Sequence, residues 1–373
     1  MIEQYLDAKV DDANKIAVLR ANAIGDLVFS LPALDALRAA YPRAEITLLA
    51  RPWHVDFFRD RPAPVNRVIA IPPFRGVYDV AERDEDPAEL DRFFDEMGAE
   101  CFDVAIQLHG GGQNSNRFVN RLGARLTVGM RAPGTLLLDR WVPFYHYQHE
   151  MHRFLEVVSL VGAPPVTLRP RLAVLDSDLA EAREVVPEEG APLVVIHPGA
   201  GDGRRHWPPD KFASVAGTLT EAGARVAVSG ARSERPLVDG VIERMRAPAI
   251  DLCDRVSLRG LLGVLSRARL VVGNDSGPLH LAWAVGTATV GVYWCGNVIN
   301  AGHPTRTGHR LAISWQIHCP VCGNDTTKQE CPHHESFVAD VPVEEVQALA
   351  MDLFTASGQV PSPPPGGAGG GET

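Results

Sequence analysis

Short apolar runs alternate with amphipathic stretches along nearly the whole chain, and this alternation occurs in two successive series. In the first series, apolar runs predict strands at residues 15–20, 45–49, 65–69, 102–108 and 127–130. The intervening segments predict helices at residues 26–40, 89–97 and 114–122. Strands that alternate with helices form a parallel sheet with helices on both faces, so this series predicts one doubly wound α/β domain.

The second series begins after Pro170 and follows the same rule. Its apolar runs predict strands at residues 192–197, 225–229, 249–252, 270–273 and 289–293. Its amphipathic stretches predict helices at residues 209–221, 233–246, 257–267 and 277–285, followed by a late helix at 343–355. A chain of 373 residues is long enough for two such domains, and we expect them to face a cleft.

The expected domains are residues 1–172 and 173–356, with a link near residues 168–178. Residues 357–373, which include PSPPPGGAGGG, have a low-complexity composition that predicts disorder. The net charge of −10 argues against a nucleic-acid partner, since phosphate backbones need basic surfaces. Residues 1–12 lack the pattern of a signal peptide, and no apolar run approaches the ~20 residues that span a bilayer. We therefore expect a cytoplasmic protein.

The segment Asn22-Ala23-Ile24-Gly25-Asp26 lies between the first predicted strand and its helix. In open α/β sheets, ligands bind at the carboxyl ends of strands, and Gly25 allows a close backbone turn there. A carboxylate at this place can take a proton from an acceptor hydroxyl. The structural alternative is that Asp26 only caps the helix.

Two further segments between a strand and a helix have the composition of a phosphate site. In residues 274–280 (NDSGPLH), Ser276 and Gly277 can present backbone N–H groups to a diphosphate at a helix N-terminus. Plain capping by Asp275 or Ser276 is the alternative. In residues 197–208 (HPGAGDGRRHWP), Gly199 and the other glycines open the loop, and Arg204 and Arg205 supply charge for a leaving phosphate. A flexible surface loop is the alternative there.

Taken in order, three segments resemble glycosyltransferase family 9, the lipopolysaccharide heptosyltransferases. They are IAVLRANAIGDLVFSLPAL, VVIHPGAGDGRRHWP and VVGNDSGPLHLAWAVGTATVGVYW, and the likeness spans roughly residues 15 to 350. The resemblance implies the GT-B fold, with two Rossmann-like domains, the acceptor mainly on the first and the nucleotide sugar mainly on the second. It also implies inversion at the anomeric carbon and no cofactor for catalysis.

The resemblance assigns roles to individual residues. Asp26 matches the proposed catalytic base, and Arg205 stands where a lipopolysaccharide heptosyltransferase carries a lysine. The remaining matches belong to the donor site and are Asp275, Ser276, Gly277, His280 and, as a contact to the nucleotide ribose, Glu234. Where the family often continues with a Gly-Pro-Thr-like turn, this chain has Trp294-Cys295-Gly296-Asn297.

The function expected from the resemblance is transfer of a heptose-like sugar from a nucleotide diphosphate sugar to a hydroxyl of a glycolipid or glycan. ADP-heptose is a candidate donor, and the acceptor implies peripheral contact with the inner membrane surface, at its cytoplasmic face. Two alternatives stay open: a nucleotide-sugar epimerase with the GT-B fold, and a non-catalytic nucleotide-sugar binding protein.

Three cysteines fall within thirteen positions late in the chain. Cys319 and Cys322 have C-x-x-C spacing, and Cys331 with His333 can complete four zinc ligands, with His318 as another candidate for the fourth. Such a closed site would be structural, because it leaves no open position for chemistry. Free thiols and a disulfide are the alternatives, the latter disfavoured in a reducing cytoplasm.

Overall fold

The first sheet consists of six parallel strands in a computed structural model that describes residues 9–81, 83–329 and 331–356. Its strands are β1 (Lys15–Leu19), β2 (Glu45–Ala50), β3 (Arg67–Ala70), β4 (Val104–Gln107), β5 (Leu126–Arg131) and β6 (Arg140–Pro143). Their order across the sheet is β3-β2-β1-β4-β5-β6. Successive strands are therefore added outward in one direction up to β3 and in the other direction from β4, and the strand order reverses between β1 and β4. This is the strand order of a Rossmann fold.

Five α-helices within the described part of the chain accompany this sheet. They are α1 (Ile24–Ala40), α2 (Pro52–Phe58), α3 (Pro87–Ala99), α4 (Ser115–Arg121) and α5 (Glu150–Ser159). Helix α1 packs against α5. Helix α5 was not predicted from the sequence, although Met151, Phe154, Leu155 and Val158 have helical spacing and are all buried.

The second sheet repeats the first. Its strands are β7 (Leu193–His197), β8 (Arg225–Val228), β9 (Ile250–Asp251), β10 (Leu270–Asn274), β11 (Ala288–Trp294) and β12 (His309–Ser314). Their order is β12-β11-β10-β7-β8-β9, and every pairing is parallel. The expectation of two doubly wound domains is therefore confirmed.

Seven α-helices lie among the described residues of this second part of the chain. They are α6 (Asp176–Val185), α7 (Pro209–Glu221), α8 (Arg235–Ile242), α9 (Leu258–Arg267), α10 (Gly277–Ala284), α11 (Cys295–Ala301) and α12 (Val343–Thr355). The helix predicted at residues 233–246 is longer than the observed α8, which begins after a 3₁₀ turn at Arg232–Glu234 and ends at Ile242. The elements α2, β6, α6, α11 and β12 were also missed.

The central strands of both sheets are buried on their two faces, as expected in parallel sheets, whereas the edge strands β3, β6 and β9 are partly exposed. Ile16, Ala17, Val18 and Leu19 of β1 have no exposed surface. In the second part, Trp207 and Phe212 are fully buried and pack edge to face. These cores hold the strand ends rigidly, and the strand ends carry the polar residues described below.

The chain divides into two compact units. The first ends at Ala173 and also includes Ile299–Ala301, and the second begins at Val174. The tail expected at residues 357–373 lies outside the described residues. Among the helices that the structure describes, none combines the length and the apolar character needed to cross a membrane.

Candidate active site

Each sheet has one place where the strand order reverses, between β1 and β4 in the first sheet and between β7 and β10 in the second. Loops that leave neighbouring strands in opposite directions open a crevice there, outside the carboxyl ends of the strands. Asp26 follows β1, and Asp275 follows β10. The topology therefore places both predicted acids where ligands bind in this class of fold.

Asp26 is the third residue of α1 and is held by two hydrogen bonds. Its Oδ2 accepts from the backbone N–H of Ala23 at 3.0 Å, and its Oδ1 accepts from Nη2 of Arg20 at 2.7 Å. The residue at the N-cap position is Ala23 rather than Asp26, although Asp26 satisfies its N–H. About a third of the Asp26 side chain stays exposed, so the carboxylate can still reach a ligand.

Arg20 is a buried cation that joins the two strands at the first crevice. Its Nη1 donates to the carbonyl of Leu108, which follows β4, at 2.7 Å. Its Nη2 also reaches Oε2 of Glu150, at the start of α5, at 3.2 Å. The Glu150 carboxylate accepts in turn from the buried Arg153. Two guanidinium groups and two carboxylates thus balance each other, as a buried charge cluster requires.

His109 closes the same crevice from the β4 side. Its Nδ1 accepts from the backbone N–H of Ala21 at 3.4 Å. Burial, reinforced by the charges of Arg20 and Arg51, lowers the pKa of His109 to about 3. The ring is therefore neutral at physiological pH and serves as an acceptor for the backbone after β1.

In the second sheet, Asn274 links the chain after two neighbouring strands, as Arg20 does in the first sheet. It is the last residue of β10 and is completely buried. Its Nδ2 donates to the carbonyl of Pro198 at 2.7 Å, and its Oδ1 accepts from the N–H of Trp207 at 3.1 Å. A single amide therefore fixes both ends of the loop between β7 and α7, which we call the phosphate loop (residues 198–206).

Asp275 is the buried anion of this second crevice. His280 donates from Nε2 to its Oδ1 at 3.0 Å, and Arg205 donates from Nη1 to its Oδ2 at 2.8 Å. Burial by itself would raise the pKa of Asp275, but the hydrogen bond and charge of His280 and the charge of Arg205 outweigh it. The pKa lies below its usual value, so Asp275 stays ionised.

The N-terminus of α10 lies directly after Asp275. Ser276 is its N-cap residue, yet the side chain makes no capping hydrogen bond, and its buried Oγ has no partner in the described residues. Gly277 begins the helix, whose first-turn N–H groups have no intrahelical acceptor. Burial, followed by the charge of Asp275, raises the pKa of Tyr293 well above its usual value, and its hydroxyl also lacks a partner among those residues.

Gly199 and Glu234 are in direct contact. A Cβ on Gly199 would fall 1.9 Å from Oε1 of Glu234, so only glycine leaves room for this carboxylate. Oε2 of Glu234 accepts from the backbone N–H of Ala231 at 2.7 Å and lies 3.9 Å from Nε2 of His197. Burial lowers the pKa of His197, although the Glu234 charge opposes that shift.

The two arginines of the phosphate loop have different partners. Arg204 is bound by Asp202, whose Oδ2 lies 2.7 Å from Nη2. Arg205 uses only Nη1 toward Asp275, and its Nε and Nη2 make no hydrogen bond within the described part of the chain. Arg205 is therefore the arginine with donors left for a ligand.

Four metal-ligating side chains converge outside the two crevices. The Sγ atoms of Cys319, Cys322 and Cys331 and one ring nitrogen of His333 all lie within 4.8 Å of one another. The backbone N–H of Cys322 contributes most to lowering the pKa of Cys319 to about 7, which favours the thiolate that metals bind. None of the six cysteines, all in described segments, forms a disulfide. A Cys/His cluster able to hold a metal is therefore present.

The structure brings together residues that the sequence analysis did not select. Arg20, Glu150 and Asn274 are polar and are buried or largely buried at the crevices. Arg20 and Asn274 had a signal, because Arg20 comes directly after the apolar strand β1 and Asn274 ends the apolar strand β10. Such polar residues stay buried only with partners. Glu150 had none, since it is 130 positions from Arg20.

Comparison with known proteins identifies a matching family. The model of the family described as glycosyltransferase family 9 (heptosyltransferase) matches residues 90–335. The chain is 24% identical over 288 residues to a lipooligosaccharide heptosyltransferase 2 of Haemophilus ducreyi, covering 73% of this chain and 80% of that protein.

Two solved structures share the fold. A glycosyl transferase family 9 protein from Veillonella parvula superimposes with a TM-score of 0.76 at 20% identity, covering 93% of this chain and 99% of that one. An ADP-heptose lipopolysaccharide heptosyltransferase II from E. coli superimposes with a TM-score of 0.69 at 17% identity, covering 91% and 98%. These likenesses identify the fold as GT-B.

Proposed function

The chain belongs to glycosyltransferase family 9, and from this premise we propose that it transfers a heptose from ADP-heptose to a hydroxyl of a glycolipid. Membership makes the protein a glycosyltransferase and decides against the epimerase alternative. The donor is proposed because the E. coli relative of the same fold is named for ADP-heptose. The glycolipid class is proposed because the H. ducreyi relative is named for lipooligosaccharide.

The observation that carries the mechanism is the Asp26 carboxylate, held by Arg20 and Ala23 and partly open at the first crevice. Asp26 accepts the proton of the acceptor hydroxyl while that oxygen attacks the anomeric carbon. The bond from this carbon to the diphosphate oxygen breaks, and the diphosphate leaves with the electron pair. A single displacement of this kind inverts the anomeric centre.

The departing diphosphate needs positive charge, and the second crevice supplies it. We assign this role to Arg205, with its free Nε and Nη2 donors, and to the N–H groups at the start of α10. Ser276 and His280 flank this position, and Glu234 beside Gly199 is assigned to the nucleotide ribose. Arg204 supplies further charge, although Asp202 binds it in this structure.

The test combines binding and transfer. ADP should raise the thermal unfolding midpoint, whereas GDP, UDP and dTDP should raise it less, because a ligand stabilises the state that binds it. Incubation with ADP-heptose and a lipooligosaccharide lacking its heptoses should then release ADP and add the mass of one heptose to the lipid. Stabilisation by another nucleotide alone would overturn the donor, and ADP binding without transfer would support a non-catalytic binding protein.

Contact with the inner membrane surface is part of this proposal, since a glycolipid acceptor lies there. Leu136, Leu137 and Tyr145 lie between β5 and α5 in the chain and are each more than half exposed. Exposed apolar side chains favour a lipid surface over water. Flotation with anionic vesicles should recover the protein, and Leu136→Ser with Leu137→Ser should reduce that recovery; equal recovery would contradict this role.

We further propose that Cys319, Cys322, Cys331 and His333 bind a structural zinc ion. A tetrahedral site with Zn–S bonds near 2.3 Å separates its ligand atoms by about 3.7 Å, which their convergence within 4.8 Å permits. Four protein ligands leave no position for substrate, so the ion would take no part in transfer. Elemental analysis for zinc and iron, on untagged protein purified without added metal, should find about one equivalent of zinc.

A further inference from the structure

The residues that carry the proposed metal ligands form one segment, residues 315–336, which we call the ligand loop. It follows β12, and its described residues contain no helix and no strand beyond a single bridge between His318 and Asp325. Trp315 and Val321 within it are more than half exposed. A loop of this length without an apolar core of its own needs another source of order.

The ligand loop is attached at its first end to β11, the strand that follows the donor-site helix α10. Nε1 of Trp294, the last residue of β11, donates to the carbonyl of Gln316 at 2.7 Å. The indole of Trp294 also packs against the ring of Phe337, with centroids 5.5 Å apart. Both ends of the loop therefore meet at Trp294.

At its second end the loop is bonded directly to the phosphate loop. Oγ of Ser336 donates to the carbonyl of His206 at 2.6 Å, and the N–H of Phe337 donates to the carbonyl of Arg204 at 2.7 Å. The Arg204 guanidinium also lies over the Phe337 ring, 5.4 Å from its centroid. The backbone on both sides of Arg205 is thus held by the end of the ligand loop.

These contacts connect the Cys/His cluster to the donor site through Trp294, Ser336 and Phe337. His333 is three positions before Ser336, so the position of Ser336 and Phe337 depends on how the loop is closed. A metal ion that joins Cys319, Cys322, Cys331 and His333 would close it, since structural metals supply folding free energy to segments that lack a core. Without the ion, the phosphate loop would keep the hydrogen bonds from Asn274 at its two ends but would lose an ordered partner for the Arg204 and His206 carbonyls, on either side of Arg205.

We infer that the ligand loop is a metal-closed clamp on the phosphate loop, so that affinity for the nucleotide diphosphate depends on the bound metal. The inference rests on the metal and donor sites of the proposed function and adds the coupling between them. The ion acts here as a positioning group, because it touches neither the nucleotide nor the acceptor. Nucleotide affinity is therefore the quantity to measure, independently of turnover.

The experiment is a calorimetric titration with ADP, paired with elemental analysis of each sample. The samples are the wild type, the wild type after chelation, the chelated protein after zinc is returned, and the variants Cys322→Ser and Ser336→Ala. Cys101→Ser is the matched control, because Cys101 is an exposed free thiol of the other compact unit. Ser336→Ala keeps every proposed ligand and removes the hydrogen bond that Oγ donates to His206, together with the one that Oγ accepts from the N–H of Val338.

Chelation and Cys322→Ser should remove the metal and raise the Kd for ADP by roughly 3- to 30-fold, which is about 0.7–2 kcal/mol. The Kd rises because the loop side chains must then be ordered when ADP binds. Returned zinc should restore the wild-type Kd. Ser336→Ala should keep the metal and raise the Kd by about 2- to 10-fold, the range for one hydrogen bond. Cys101→Ser should match the wild type in both measurements.

A metal-free, folded Cys322→Ser protein that binds ADP as the wild type does would overturn the clamp while leaving the metal site in place. An unchanged Kd in Ser336→Ala would overturn it as well, even if Cys322→Ser failed to fold. Wild-type protein that contains no metal yet binds ADP would overturn both the metal site and the clamp. Binding of a different nucleotide would overturn only the donor, and the same titrations would then use that nucleotide.

Discussion

Nη2 of Arg20 lies 2.7 Å from Oδ1 of Asp26, and the guanidinium that makes this contact is almost completely buried. The pair joins the end of β1 to the first turn of α1, six positions along the chain. Because Arg20 also bonds Leu108 and Glu150, the direction of the Asp26 carboxylate is set by the whole crevice. The first two predictions follow from this arrangement.

Asp26→Asn should lower kcat by roughly 10²- to 10⁴-fold, because the amide cannot accept the proton of the attacking hydroxyl. The Kd for ADP should stay at the wild-type value, since the residues assigned to the donor all lie in the other compact unit. Initial rates with ADP-heptose and calorimetry with ADP measure the two quantities. Near-normal turnover would leave Asp26 as a residue that only satisfies the Ala23 N–H.

Arg20→Met should lower the free energy of unfolding by about 3–5 kcal/mol, because it removes the buried cation that Asp26 and Glu150 share and leaves only Glu150 with a second one, Arg153. Arg59→Met is the matched control: Arg59 also pairs with an aspartate, Asp56, but both side chains are mostly exposed. The control should lose less than about 1 kcal/mol. Urea denaturation of both variants makes the comparison, and equal losses would show that the Arg20 cluster is not stabilising.

Arg205→Ala should raise the Kd for ADP by roughly 10- to 100-fold, the effect of losing a charge-assisted hydrogen bond worth about 1.5–3 kcal/mol. Arg205→Lys should recover part of this affinity, because lysine keeps the charge but not the planar donor group. Arg232→Ala serves as the control, since that side chain is 90% exposed. An unchanged Kd in Arg205→Ala would remove Arg205 from the donor contacts.

Gly199→Ala should displace the Glu234 carboxylate, because the added Cβ would lie 1.9 Å from its Oε1. If Glu234 contacts the nucleotide ribose, the Kd for ADP should rise in this variant. Gly217→Ala in α7 is the control, since a Cβ there meets nothing within 4 Å and alanine favours the helix by up to about 1 kcal/mol. Calorimetry that finds equal affinities in the two variants would argue against a ribose contact by Glu234.

His54 makes stability depend on pH. Burial lowers its pKa to about 3, so the unfolded chain binds a proton there between about pH 6.5 and 3 that the folded chain does not. Its contribution is complete above pH 6.5 and falls as the pH falls, by about 1.4 kcal/mol per pH unit. His54→Gln should flatten the free energy of unfolding between pH 6.5 and 5, as measured in urea; identical slopes would refute this.

Much of the fold could be predicted from local pattern. The alternation of apolar and amphipathic segments specifies a parallel sheet, because a strand buried on both faces must be apolar throughout. Residues 15–20 and 192–197 were recognised as β1 and β7 in this way. Elements such as α2, seven residues long, were missed because a short segment shows too little periodicity to distinguish a helix from a loop.

Part of the candidate site could be predicted for a related reason. Asp26, Gly199, Arg205 and Asp275 lie in the loops that follow β1, β7 and β10 or in the first helical turn after them, and the carboxyl end of a strand is where this fold class binds ligands. The Cys/His cluster was identified from spacing alone, and its four side chains converge. These assignments needed only distances along the chain of a few residues.

The sequence by itself determined the strand and helix alternation, the polar strand ends and the ligand spacing, since each depends on neighbours in the chain. Only the tertiary structure decided which partners those residues have. Glu150 reaches Arg20 across 130 positions, Asp275 reaches Arg205 across 70, and Ser336 reaches His206 across 130. The physical reason is that a buried charge or carbonyl must be satisfied, but any suitable group that the packing brings close can satisfy it.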